Sequence, residues 1–249
     1  MGSALLAQWV KGPERFTVVN PSPRDLPDGV AQAHSREALG DARFDCIVAA
    51  VKPQMFDEVM PAYADHLAPG GYVMSIAAGY ETARLSAIMR GACVIRTMPN
   101  LPSAIGMGVS GLYAPPSATP KQRAHAHAMM ERAGIVIPVE SEERIDRVTA
   151  VAGSGPGYVF EIARAYTLAA MEHGFTEAEA RSMVLATMNG AIAMACAPDA
   201  PDLATLRDRV TSKGGTTAAG LKALNDEDQM TDLMRATLQA CYDRAVEMR

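Results

Sequence analysis

Residues 46–54 read Cys46-Ile47-Val48-Ala49-Ala50-Val51-Lys52-Pro53-Gln54, an apolar run closed by a lysine and a proline. A run that does not alternate polar with apolar marks a strand covered on both faces, as in a parallel sheet. The same signature recurs at 16–19, 72–76, 93–97, 109–113 and 135–139, each run bounded by Pro, Gly, Asn or charged residues. Helix candidates lie between them at 54–66 and 81–89. A third is opened by Thr119-Pro120, proline being suited to a first helical turn. Strand, helix, strand at this spacing predicts a doubly wound α/β domain.

Past residue 141 the pattern changes to helical periodicity, with no convincing strand up to residue 249. Thr176 and Glu179 form a capping box ahead of the apolar stripe Met183, Val184, Thr187 and Ile192. Gly174 closes the helix before it, and Pro198-Asp199-Ala200-Pro201 ends the one that follows. Two domains are expected: an α/β half over 1–141 and an all-helical half over 142–249. The helical half is rich in Ala and Met, and alone it would expose more apolar surface than a monomer tolerates. A homodimer or higher homo-oligomer through the helices follows.

Composition narrows the function. Hydrophobic residues are 49% and charged residues 20% of the chain, the balance of a globular protein rather than a disordered one. A net charge of −5 speaks against nucleic acid as the main partner, since phosphate backbones need clustered Lys and Arg. The longest apolar stretch, 185–197, is interrupted by Asn189 and Gly190 and is too short for a bilayer, so no membrane partner is expected. No basic segment followed by an apolar run opens the chain, so no signal peptide is read and the expected compartment is the cytoplasm. Cys46, Cys93, Cys196 and Cys241 stand far apart and are expected to be reduced, buried thiols. Neither they nor His34, His66, His125, His127 and His173 show ligand spacing, and no metal is predicted.

The chain opens on a run that is helix-like from its first residue, Met1 to Trp9. In a dinucleotide-binding domain such a helix follows a strand and a G-x-G-x-x-G turn, and Gly2 fits the third glycine, where helix and strand pack closely. The natural chain is accordingly expected to start roughly ten residues earlier, with Met1 an internal methionine.

Four segments carry the chemistry: Ala49-Ala50-Val51-Lys52-Pro53-Gln54, Arg96-Thr97-Met98-Pro99-Asn100-Leu101-Pro102, Gly153-Ser154-Gly155-Pro156, and Val210-Thr211-Ser212-Lys213-Gly214-Gly215-Thr216-Thr217-Ala218-Ala219-Gly220-Leu221. In this order and spacing the chain resembles the pyrroline-5-carboxylate reductases over essentially its whole length. The resemblance implies a truncated Rossmann-like NAD(P)-binding domain followed by a helical substrate-binding and dimerisation domain. It implies reduction of 1-pyrroline-5-carboxylate to L-proline by NAD(P)H.

The Gly214-Gly215 corner has its own physical reading. Two glycines turn the backbone tightly with N–H groups exposed, and the helix starting after them attracts an anion. A substrate carboxylate is the expected guest of Gly214, Gly215, Thr216 and Thr217, and by resemblance the Thr217 hydroxyl approaches the imine nitrogen as the catalytic group. Lys213 stands where the family usually has proline, which leaves the rigidity of this loop open. Val51, Lys52 and Pro53 follow a strand end, where open α/β sheets bind ligands, and by resemblance they and Ala77-Ala78 line the nicotinamide side. No Asp or Glu follows the strand at 16–19, so Asn20, Ser22 and Arg24 are expected to meet the 2′-phosphate of NADPH, with NADH also possible. Ser35 matches, by resemblance, a position near the adenine ribose. Glu142 matches an acidic position near the substrate, which Glu143 would fill equally, and Thr149 is expected to border the active site. Two other readings remain open: a reductase of the β-hydroxyacid dehydrogenase type using Lys222, and a non-catalytic small-molecule-binding relative.

Overall fold

A computed structural model describes residues 1–248. Contacts divide the chain into two compact units, one of residues 1–156 with the chain from Gln239 onward, the other of residues 157–238. The first unit runs α1 (Gly2–Trp9), β1 (Thr17–Val19), β2 (Ala31–Ala33), β3 (Phe44–Ala49), α2 (Phe56–Val59), β4 (Leu67–Ser75), α3 (Thr82–Ile88), β5 (Cys93–Pro99), β6 (Gly108–Tyr113), α4 (Pro120–Glu131), β7 (Gly134–Val139) and α5 (Glu142–Val148).

β1 and β2 form a parallel pair, and β3-β4-β5-β6-β7 form a second sheet in chain order. Alternate residues of β4 feed two cores. Tyr72 and Met74 point to one face and pack with Leu5, Trp9, Met129 and Met130 of α1 and α4. Val73 points to the other and packs with Phe56, Tyr80, Leu85 and Met89 around α2 and α3. This two-sided covering is what the unbroken apolar runs required. Each fully buried side chain of this kind contributes about 1.5–3 kcal/mol.

Three details depart from the sequence reading. The sheet is not wholly parallel, because β6 runs antiparallel to β5. The link between them is a short 3-10 turn, Leu101–Ile105, instead of the crossover helix that a parallel return needs. The helix expected at 54–66 is broken into 3-10 turns around a single α-turn. Pro61 supplies the reason, since it has no N–H to continue the ladder. β2 is not expected from the sequence at all; it is three residues long and carries one buried side chain, Ala33. β1 and β3 each pair on one side only. Accordingly Cys46, Ile47 and Val48 of β3 are only partly buried.

From Glu142 to Glu247 every described element is helical. The second unit holds most of α6 (Gly155–Glu172), then α7 (Glu177–Ala195), α8 (Leu203–Arg209), α9 (Thr216–Asn225) and the first part of α10 (Gln229–Glu247). The Thr176–Glu179 capping box is formed in both directions, and Gly174 takes φ +92° past the end of α6. Ala163, Ala180 and Val184 are its buried apolar side chains among the described residues. By contrast Phe160, Ile192 and Leu233 are each about 60% exposed. No described helix is long and apolar enough to cross a membrane.

Candidate functional site

The carboxyl ends of β3 and β4 lie side by side, with Ala49 paired to Ser75. Two short turns leave this edge. In the first, Lys52 is extended and exposed, and Pro53 starts a 3-10 turn closed by Met55 N–H donating to the Lys52 carbonyl at 2.9 Å. In the second, Ala77 N–H donates to Ser75 Oγ at 3.3 Å, Ala77 is buried and Ala78 partly so. Gly2, at the start of α1, stands against the first turn. A Cβ on Gly2 would sit 3.3 Å from the Ala50 methyl, tighter than ordinary packing. The structure thus brings Gly2, Val51, Lys52, Pro53, Ala77 and Ala78 to one edge.

Asp57 ties the two turns together. Its carboxylate accepts from Tyr80 Oη at 2.7 Å and pairs with Arg84, whose guanidinium lies 4.9 Å from the Tyr80 ring centre. The Tyr80 hydroxyl and Arg84 hold the Asp57 carboxyl below the usual carboxylate range.

Asn20, Ser22, Arg24 and Ser35 share the end of the β1–β2 pair, where Val19 stands opposite Ala33. Asn20 Oδ1 accepts from Ser22 N–H at 3.0 Å, and Gln32 Nε2 donates to the Ser22 carbonyl at 3.1 Å. This bonded turn leaves the side chains of Ser22 and Arg24 in solvent. Ser35 is also exposed.

Gly214, Gly215, Thr216 and Thr217 form their own group in the second unit. Gly214 takes φ +72°, which a side chain would strain. A Cβ on Gly215 would collide with Ser212 Oγ, and Gly215 N–H donates to the Ser212 carbonyl at 3.0 Å. Gly215 then caps α9 with no side-chain hydrogen bond from the described residues. Thr216 and Thr217 are exposed at the first turn, and Lys213 is exposed beside them.

Glu142, at the first turn of α5, stands in the first unit with its carboxylate engaged. It accepts from Thr82 N–H at 3.2 and 3.1 Å, from Thr82 Oγ1 at 2.5 Å, and from Arg96 Nη1 at 3.2 Å. Glu143 is exposed and pairs with Arg147 at 2.6 Å. Thr149 opens a π-helical turn, Thr149–Gly153, and its hydroxyl donates back to the Ile145 carbonyl at 2.9 Å. Asn100 holds that turn, donating to the Ala152 carbonyl at 3.0 Å and accepting from Val109 N–H at 2.9 Å. The sequence reading missed Arg96, Asp146 and Asn100 as organising residues. A signal was present: Arg96 interrupts the apolar run Cys93-Val94-Ile95, and a charge inside a buried strand demands a partner.

A family model described as pyrroline-5-carboxylate reductase dimerisation matches residues 142–248. A pyrroline-5-carboxylate reductase from Vibrio alginolyticus is 40% identical over 205 residues, covering 82% of this chain and 75% of the relative. The chain belongs to the pyrroline-5-carboxylate reductase family. The family's protein from Haemophilus influenzae is 36% identical, covering 87% of this chain and 80% of its own length. A solved member of the family from Coxiella burnetii superposes with a TM-score of 0.88 at 30% identity, covering 99% of this chain and 94% of that one. Membership sets aside the hydroxyacid-dehydrogenase reading, the one that used Lys222.

Proposed function

We propose that the protein reduces 1-pyrroline-5-carboxylate to L-proline with NADPH, working as a homodimer. The observation that carries this reading is the Gly214-Gly215 corner, which opens α9 with two exposed threonines and no side-chain cap from the described residues, in a chain of this family. Residues 1–141 serve the cofactor, and 142–249 the substrate and dimerisation.

The strand-end edge fits a dinucleotide. Gly2 brings the start of α1 against Ala50 where a side chain would crowd, which is what close backbone approach requires. Val51, Lys52, Pro53, Ala77 and Ala78 would hold the nicotinamide end, Ser35 would lie near the adenine ribose, and Asn20, Ser22 and Arg24 would meet the 2′-phosphate. When bound, the nicotinamide supplies the hydride. On the substrate side, N–H groups of Gly214 and Gly215 and the first turn of α9 would take the carboxylate. Thr217 Oγ would orient the ring nitrogen and relay a proton from solvent to it, since an iminium accepts hydride more readily than a neutral imine. Holding the two reactants in register is worth on the order of 7–11 kcal/mol in favourable cases.

The test is NADPH oxidation by the purified protein with pyrroline-5-carboxylate, beside Thr217→Ala. Turnover by the parent protein and a kcat loss of about a hundredfold in a folded Thr217→Ala variant are expected. No turnover overturns the reductase reading, and full activity in Thr217→Ala removes Thr217 from the mechanism. The ratio of kcat/KM for NADPH to that for NADH should exceed one and fall in Arg24→Ala.

A further inference from the structure

We infer that Glu142, backed by Arg96, is a positioning residue: its carboxylate clamps the first turn of α3 and so sets the loop 77–81 that lines the cofactor. The inference rests on the reductase reading above and gives Glu142 a role other than contact with the substrate.

The geometry is that of a long-range helix cap. α3 begins at Thr82, and its own N-cap residue, Glu81, makes no side-chain hydrogen bond to the helix. A carboxylate 60 positions along the chain does that work, taking both the N–H and the hydroxyl of Thr82. An anion there satisfies an orphan donor and complements the helix dipole. The same carboxylate is held from behind. Arg96 is fully buried in β5, with one amine on Glu142 and the other on Asp146, each at 3.2 Å. Swinging Glu142 towards a ligand would leave a buried guanidinium short of one of its two carboxylates, which is strongly unfavourable.

The loop that this clamp closes has little freedom elsewhere. At one end lies β4, whose pairing runs to Ser75. Gly79 takes φ +68°, and a Cβ there would fall 2.7 Å from the Met248 carbonyl. Tyr80 is anchored on Asp57. Thr82 is the remaining end, and Glu142 fixes it. Loss of the clamp would therefore be felt in the backbone of 77–81 before anywhere else.

The experiment compares Glu142→Gln, Thr82→Val and the double variant. It measures NADPH affinity by fluorescence without substrate, amide hydrogen exchange of 77–82 in the unliganded protein, and kcat and KM for pyrroline-5-carboxylate. Each single variant should weaken NADPH on the order of tenfold and speed exchange in 77–82. The substrate KM should stay within about twofold, and the double variant should be no worse than the worse single one. A raised substrate KM in Glu142→Gln with Thr82→Val unchanged in every measurement overturns the inference. So does unchanged NADPH affinity and exchange in Thr82→Val, which removes the shortest contact of the clamp, the hydroxyl bond, keeps the backbone N–H bonds and the buried ion pair, and can be read even if Glu142→Gln fails to fold. Failure of the reductase reading shows separately, as absent turnover in the parent protein, and leaves the exchange and NADPH-binding results able to judge the clamp.

Discussion

Glu14 and Arg132 form a two-pronged pair, with Nη1–Oε2 at 2.6 Å and Nη2–Oε1 at 2.8 Å. His125 Nε2 stands 3.6 Å from the same carboxylate, and the Tyr72 hydroxyl lies 2.9 Å from His125 Nδ1. The Arg132 hydrogen bond holds the Glu14 carboxyl below its ordinary 4.5, against the opposing effect of partial burial. A depressed folded pKa means that the stabilisation is complete above the unfolded value and lost as pH falls through the folded one. Glu14→Gln should therefore cost about 1–3 kcal/mol at neutral pH. It should also flatten the loss of stability on acidification below 4.5, the ordinary value for this carboxyl. Urea unfolding from pH 7 to pH 3 reads both, and parallel curves for the two proteins would count against the pair. The thiols differ as sharply. Burial pushes the Cys46 thiol up to about 12, since the residue packs against the core cluster that holds Tyr72 although it sits on an edge strand. Cys196 was expected to be buried and is exposed. Iodoacetamide at neutral pH should mark Cys196 and spare Cys46 until the protein unfolds; equal labelling by mass spectrometry would refute this.

At the scale of elements, two glycines separate backbone strain from crowding. Gly70 and Gly79 both take positive φ, +77° and +68°, but a Cβ on Gly70 meets nothing within 4 Å, whereas one on Gly79 meets the Met248 carbonyl. Gly70→Ala should cost about 1 kcal/mol from φ alone. Gly79→Ala should cost clearly more and disturb the 77–81 loop, and equal thermal shifts would show the contact to be unimportant. The capping box of α7 offers a second test: Thr176→Ala should destabilise by about 1 kcal/mol, measured by chemical unfolding. This cap was legible because a box is a four-residue pattern, and unbroken apolar runs likewise marked the strands that the fold sets at Phe44–Ala49 and Leu67–Ser75. The break at Pro61 was also written in the chain. The reversal of β6 was not, because strand direction depends on how the 3-10 turn at 101–105 returns the chain, and apolar runs look alike either way.

For the whole molecule, the decisive feature is the second unit's shortage of buried apolar side chains. Phe160, Ile192 and Leu233 are exposed on helices that the dimerisation model matches, and a homodimer as proposed would have this apolar surface to cover. Light scattering should give a mass of at least twice 26.4 kDa, and the melting temperature should rise with protein concentration. A monomeric mass at micromolar concentration would oppose the homodimer.

The sequence by itself determined the α/β-then-helical order, the cap positions, the glycine corner before α9 and the family resemblance, all of which rest on residues close together in the chain. Only the tertiary structure decided which groups the Glu142 carboxylate meets. Its partners Arg96 and Thr82 lie 46 and 60 positions away, and a carboxylate takes whichever donors the fold brings within about 3 Å, which no local pattern encodes.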